Sequence, residues 1–177
     1  MNQLWAPWRG EFISHKPLEG CIFCQFPAEE GAEADRRNLI LGRTRHSFVI
    51  LNKYPYNNGH LMVIPRRHLA ELPALPAEEL SDLNQLLQRS VDVLGRVYLP
   101  AGFNIGMNLG RAAGAGIADH LHWHVVPRWG GDTNFMPVLA DTKVMIEHLL
   151  QSYDKLLPEF NRAVAPASPP GSAPAPG

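Results

Sequence analysis

Cysteine is nearly absent from this chain: 177 residues carry only Cys21 and Cys24, in the run GCIFCQF. A two-residue gap is poor for a structural disulfide, so the pair stands as two idle thiols, a redox pair or half of a metal site. Long apolar runs are lacking too. No stretch approaches the roughly 20 residues of a membrane-spanning helix, and the opening MNQLWAPWRGEF has no apolar core of a secretory signal. A soluble, cytoplasmic protein is the expectation. Nor is one sign of charge in excess: 16 Lys and Arg face 17 Asp and Glu, for a net charge of −1. That balance supplies no bulk potential for a nucleic-acid polymer or a membrane, although a pocket for one nucleotide needs only local donors. The run AVAPASPPGSAPAPG, Ala163–Gly177, lacks charge altogether, and its composition reads as a disordered tail.

What remains, residues 1–162, is long enough and, at 45% hydrophobic, apolar enough for one domain with a real core. PAEEGAEADRRN, Pro27–Asn38, reads as a polar loop. HSFVILNKYPYNNGHLMVIP predicts two strands, Ser47–Leu51 and His60–Ile64, joined by a turn rich in Pro, Asn and Gly. From Ala77 to Tyr98, Leu80, Leu83, Leu87, Val91 and Leu94 line one face of an amphipathic helix, with Glu78 and Glu79 in its first turn. GFNIGMNLG, Gly102–Gly110, alternates as a strand, RAAGAG is a small-residue loop, and Thr142–Leu157 predicts a last helix. Mixed strands and helices joined by hairpins indicate an α+β fold with an antiparallel sheet and flanking helices.

The sharpest pattern is ADHLHWHVVPRW, Ala118–Trp129, where His120, His122 and His124 alternate with Leu121, Trp123 and Val125. In a strand that spacing places all three imidazoles on one face, about 6.6 Å apart per step. Zn–N bonds are only about 2.0–2.1 Å, so one ion cannot take all three, and the histidines have different jobs. The small residues Ala112–Gly116 precede them, where backbone N–H groups can approach phosphate oxygens.

HLHWHVVPR, preceded by GFNIGMNLG and by LNKYPYNNGHLMVIPRRH, resembles the histidine triad (HIT) superfamily. With PRWGGDTNFM, it looks like that family's diadenosine tetraphosphate phosphorylase, or ATP adenylyltransferase, branch. The resemblance runs from about Trp5 to Leu157. It implies a HIT-like antiparallel sheet and a catalytic triad of His120, His122 and His124. His122 is the implied nucleophile in nucleotidyl transfer from diadenosine tetraphosphate to phosphate, giving ATP and ADP through an AMP-histidine intermediate. A neutral imidazole suits that work, attacking phosphorus with one nitrogen while an acceptor holds the other N–H. His124 and the small-residue backbone would hydrogen-bond the phosphate and leaving group. The alternative acceptor is water, which makes a hydrolase of dinucleoside polyphosphates or adenosine phosphoramidates.

The resemblance extends to binding residues. Asn52 stands where many relatives carry an acidic ribose ligand, and Asn108 matches a phosphate-contacting Asn. Gly114, Ala115 and Gly116 supply backbone, and Gly116 departs from the Ser or Gln of many relatives. Trp129, Asn134 and Phe135 also match the branch. Zinc-containing relatives place ligands where this chain has Cys21, Cys24, His68 and His120, implying a closed structural zinc site. The partners expected are an adenine dinucleotide polyphosphate or another adenosine nucleotide, phosphate, and a second copy in a homodimer. His15, His46, His60 and His148 receive no functional role.

Overall fold

The run SFVIL has no polar alternation beyond its first residue, which marks a strand covered on both faces. A computed structural model of the chain describes residues 20–132 and 147–164. In it Ser47–Leu51 (β2) and Leu61–Pro65 (β3) form an antiparallel hairpin in which all ten residues are buried. Ile40–Arg43 (β1) pairs outside β2, Trp123–Arg128 (β5) pairs beside β3, and Gly102–Gly106 (β4) closes the far edge. The sheet has five antiparallel strands in the order β1-β2-β3-β5-β4, which is the expected α+β architecture.

The two longer helices close one face of this sheet. Ile22–Gln25 (α1) and Ala32–Arg37 (α2) are short, while Ala77–Tyr98 (α3) occupies the range its apolar spacing predicts. Leu99 ends it in the left-handed region, φ 47°, with its N–H on Gly95 O. Leu149–Val164 (α4) packs against α3 and β1. Directly opposed residues of antiparallel strands share a face. Gly42, Val49, Val63 and Trp123 therefore form one row, and Ile50, Met62, His124 and Gly106 the neighbouring row on the other face. A Cβ on Gly42 would lie 3.3 Å from Val164 Cγ2 and 3.6 Å from Val49 Cγ1, so α4 covers the first row. The histidine row belongs to the opposite face. No helix among the described residues is long and apolar enough to cross a membrane.

Several boundaries differ from the sequence reading, among them the hairpin's second strand, Leu61–Pro65 rather than His60–Ile64. The histidine strand begins at Trp123, so His120 and His122 precede the ladder instead of sharing a strand face with His124. Its partner β3 ends at Pro65, which has no N–H to continue the pairing. The approaching segment instead bonds elsewhere, Leu121 N–H donating to Leu69 O at 2.7 Å. β4 stops at Gly106, opposite His124, because β5 offers nothing to pair beyond it. The polar stretch read as a loop contains α2 and leads into the edge strand β1.

The last helix, expected at Thr142–Leu157, runs through Pro158 to Val164; residues 142–146 lie outside the described range. Pro158 costs it one backbone bond, but Pro158 and Asp154, whose carbonyl loses that partner, are exposed to water. Tyr153, Leu156 and Phe160 point inward, and Ala163 and Val164, read as the start of the tail, pack on the core. Truncation before Ala163 should therefore lower stability by about 1 kcal/mol, or roughly 2–4 °C in melting temperature. Truncation after Val164 should leave it unchanged, as thermal unfolding of the two shortened chains will check.

Candidate active site

His122 sits 5% exposed just ahead of β5, with Nδ1 2.9 Å from the backbone oxygen of His120. A carbonyl only accepts, so Nδ1 carries the proton and Nε2 keeps its lone pair. That is the nucleophilic tautomer. The ring is wedged between Phe23, with centroids 5.2 Å apart, and His124, at 5.0 Å edge-on.

His124 presents the opposite character, and His60 is the reason. His60 is fully buried one residue ahead of β3, and its Nδ1 accepts the backbone N–H of Tyr56 at 3.0 Å. Its proton therefore rests on Nε2, which lies 2.9 Å from Nδ1 of His124. His124 accepts there and carries its own proton on Nε2 as an outward donor. Burial, and after it the neighbouring His122, push the His124 pKa down to about 4, so the ring is neutral at neutral pH. Two adjacent imidazoles thus offer a lone pair and an N–H in fixed positions. His60 was missed in the sequence because no local motif marks it. The signal was its register: residues 60 and 62 share a strand face, and Met62 pairs directly with His124.

The third triad histidine turns away from the other two. His120 is 1% exposed and donates Nε2–H to Pro65 O at 2.8 Å, which leaves a lone pair on Nδ1. That nitrogen faces Cys21 Sγ at 3.3 Å, Cys24 Sγ at 3.6 Å and His68 Nδ1 at 3.3 Å, and Cys24 Sγ lies 3.4 Å from His68 Nδ1. All four donor atoms fall within 4.8 Å of one another, a cluster able to hold a metal ion. Donors on a tetrahedral zinc stand roughly 3.3–3.8 Å apart, judged from its bond lengths, and these separations match. Burial and the Cys21 thiol push the Cys24 thiol's pKa up, so a bound cation is what would keep that sulfur as a thiolate.

The expected nucleotide contacts are only partly assembled. Asn52 lies 3.4 Å from the His60 ring through Nδ2 and accepts the Tyr54 N–H at 2.9 Å, an Asx turn that fixes its amide. Asn108 lines the same cavity as His124 and donates to Gly114 O at 3.4 Å. The small-residue loop is a tight turn: Ala113, Gly114 and Ala115 spend their N–H groups on Gly110 and Arg111 carbonyls. Gly116 has open space around its missing side chain. Trp129 packs edge-on against Tyr98 at 6.3 Å, and Asn134 and Phe135 lie outside the described residues.

If His60 sets the His124 tautomer, His60→Ala should lower kcat by roughly 10- to 100-fold. The His124 pKa should also move up from about 4 toward the ordinary histidine value, since water then solvates the ring. His60→Gln should recover part of the rate, because its amide N–H can donate in the same place. Steady-state rates and an NMR titration of His124 check these effects.

Known proteins resemble this chain in sequence and in fold. A family model for the HIT domain matches residues 33–131. The chain is 40% identical over 162 residues to the AP-4-A phosphorylase of Mycobacterium tuberculosis, covering 89% of this chain and 83% of that one. It is 31% identical over 108 residues to an adenosine 5′-monophosphoramidase of Schizosaccharomyces pombe, covering 61% of this chain and 74% of the relative. The crystal structure of a zinc-bound histidine triad family protein from Mycobacterium smegmatis superposes with a TM-score of 0.62 and 26% identity, covering 80% of this chain and 94% of that one. With the domain match spanning more than half its length and the alternate histidines arranged as described, the chain belongs to the HIT domain family.

Proposed function

We propose that the protein cleaves diadenosine tetraphosphate with phosphate, yielding ATP and ADP through an adenylyl group carried on His122. The observation behind this reading is the fixed pair of tautomers, a lone pair on His122 Nε2 beside an N–H on His124 Nε2. In the first step His122 Nε2 forms a bond to the α-phosphorus, and the P–O bond to the departing ATP breaks. The electron pair leaves on oxygen, where the His124 N–H stabilises it. The Nδ1 proton stays on His122, held by the His120 carbonyl, which steadies the positive imidazole ring. In the second step a phosphate oxygen attacks the same phosphorus and returns the electron pair to Nε2, releasing ADP. Asn52 is positioned for the ribose, and Asn108 with the Gly116 backbone for the phosphates.

The choice of phosphate over water rests on proton accounting. Phosphate is already anionic and needs no base, whereas water must lose a proton to attack. Among the described residues no carboxylate lines the cavity beside His124, and both nitrogens of His124 are committed. The similarity to an AP-4-A phosphorylase supports the same acceptor. The second reading, hydrolysis of dinucleoside polyphosphates or adenosine phosphoramidates, draws on the space at Gly116, which leaves room for water, and on the likeness to a monophosphoramidase.

Zinc at Cys21, Cys24, His68 and His120 is the structural part of the proposal, since a closed site with four protein ligands has no open position for chemistry. A reduced cysteine pair suits the cytoplasm. A homodimer is proposed on the open edge strand β4, where Ile105 is 45% exposed.

His122→Asn should bind adenine dinucleotide and lose at least about a thousandfold in turnover, since Asn cannot form the covalent intermediate. In the unmodified protein, added phosphate should accelerate cleavage and divert product from AMP to ADP, with ATP formed in both cases. A product ratio and rate indifferent to phosphate would assign the hydrolase. For the metal, Cys24→Ser should abolish zinc in elemental analysis and lower the melting temperature more steeply than it lowers kcat.

A further inference from the structure

The catalytic face does not end at His124. Along β5, His124, Val126 and Arg128 point to one side, with Gly106 and Asn104 of β4 opposite the first two. This groove is a cavity of about 480 Å³, walled on the other side by Tyr56 and Asn57. It runs about 13 Å from His124 to Arg128 at the usual strand rise. Gly106 keeps the passage open, because a Cβ there would project beside His124 and has nothing within 4 Å.

The far end of the groove is polar without being charged. Arg128 gives Nε–H and Nη2–H to Asp132 at 2.6 and 2.8 Å and Nη1–H to Asn104 Oδ1 at 2.7 Å. The ion pair holds the Asp132 carboxyl well below the usual carboxylate range, so the two charges cancel. Asn57, 9% exposed, bolts this end shut by donating to Pro127 O at 3.0 Å and to Asp132 Oδ2 at 2.7 Å. Tyr56 contributes an exposed ring, 56% accessible, kept in orientation by stacking on His60 at 4.8 Å and 30°. A phosphate subsite would need an uncompensated cation, and Arg128 is not one. A broad aromatic face, an amide and apolar Val126 instead match a neutral, planar, hydrogen-bonding group.

We propose that this groove holds the second nucleoside of a dinucleoside polyphosphate, the one that leaves with the departing phosphates, its base stacked on Tyr56. The assignment rests on the adenylyl-transfer reading of His122 for its orientation: the adenylated half lies on the Asn52 side and the leaving half beyond His124. The groove then makes the protein select dinucleotides over mononucleotides with an equal phosphate chain.

The test is calorimetric titration of the His122→Asn protein with diadenosine tetraphosphate and, separately, adenosine 5′-tetraphosphate, which has the same phosphates and no second nucleoside. The dinucleotide should bind about tenfold more tightly, the scale of one base stacked on an aromatic ring. Adding Tyr56→Ala should remove most of that preference, and adding Tyr56→Phe should keep it. Equal affinities in the parent protein would overturn the proposal. So would an equal loss for both ligands in Tyr56→Ala, which would make Tyr56 only a prop for His60. A preference that persists while the unmodified protein cleaves neither compound would support the groove and sink the transfer reaction instead.

Discussion

The hydrogen bond from His120 Nε2 to the carbonyl of Pro65, at 2.8 Å, is the contact on which the arrangement of the three histidines depends. It exists because a proline ends β3 and leaves its carbonyl without a ladder partner on that side. It fixes the His120 tautomer, so that the other nitrogen turns to Cys21, Cys24 and His68. It also holds the His120 backbone, whose oxygen is the acceptor for His122. One bond therefore orients a nitrogen of the four-residue cluster and, two residues on, the ring proposed as the nucleophile. The three alternate histidines share a sequence pattern, yet each has its proton placed by a different neighbour.

Phe23 joins the two halves of this arrangement. Its ring is 1% exposed and stands 5.5 Å from His120 and 5.2 Å from His122. It lies between Cys21 and Cys24 on the short helix α1, a four-residue segment too brief to hold itself together. A cluster that ties both cysteines to His68 and His120 is what anchors that helix against the His122 ring. The cysteines and the histidine segment, 99 residues apart at Cys21 and His120, are thus packed as one unit.

Much of the fold could be read from local pattern, and the limits are instructive. α3 begins and ends where its apolar spacing predicts, because a surface helix with one buried face writes that face into its sequence. β2 is likewise where the apolar run places it. The four-residue metal cluster was legible through family resemblance rather than spacing, since its members come from three distant segments. His60 was invisible because its importance lies in what it touches, a strand neighbour 64 residues later. The reading of α4 stopped short at Leu157, whereas the helix runs on through Pro158, whose lost bond faces solvent, to bury Phe160. The small-residue loop fell short differently: its composition promises free N–H groups, but its turns consume three of them.

The neutrality of His124 has a consequence for the cavity it lines. With His124 uncharged down to about pH 4 and Arg128 paired with Asp132, that cavity presents oriented dipoles rather than a net charge. Dipole fields fall away faster with distance than those of ions, and mobile salt has little net charge there to screen. A cavity of that kind acts at contact range rather than steering a ligand from afar, and binding of the proposed nucleotide there would depend little on ionic strength.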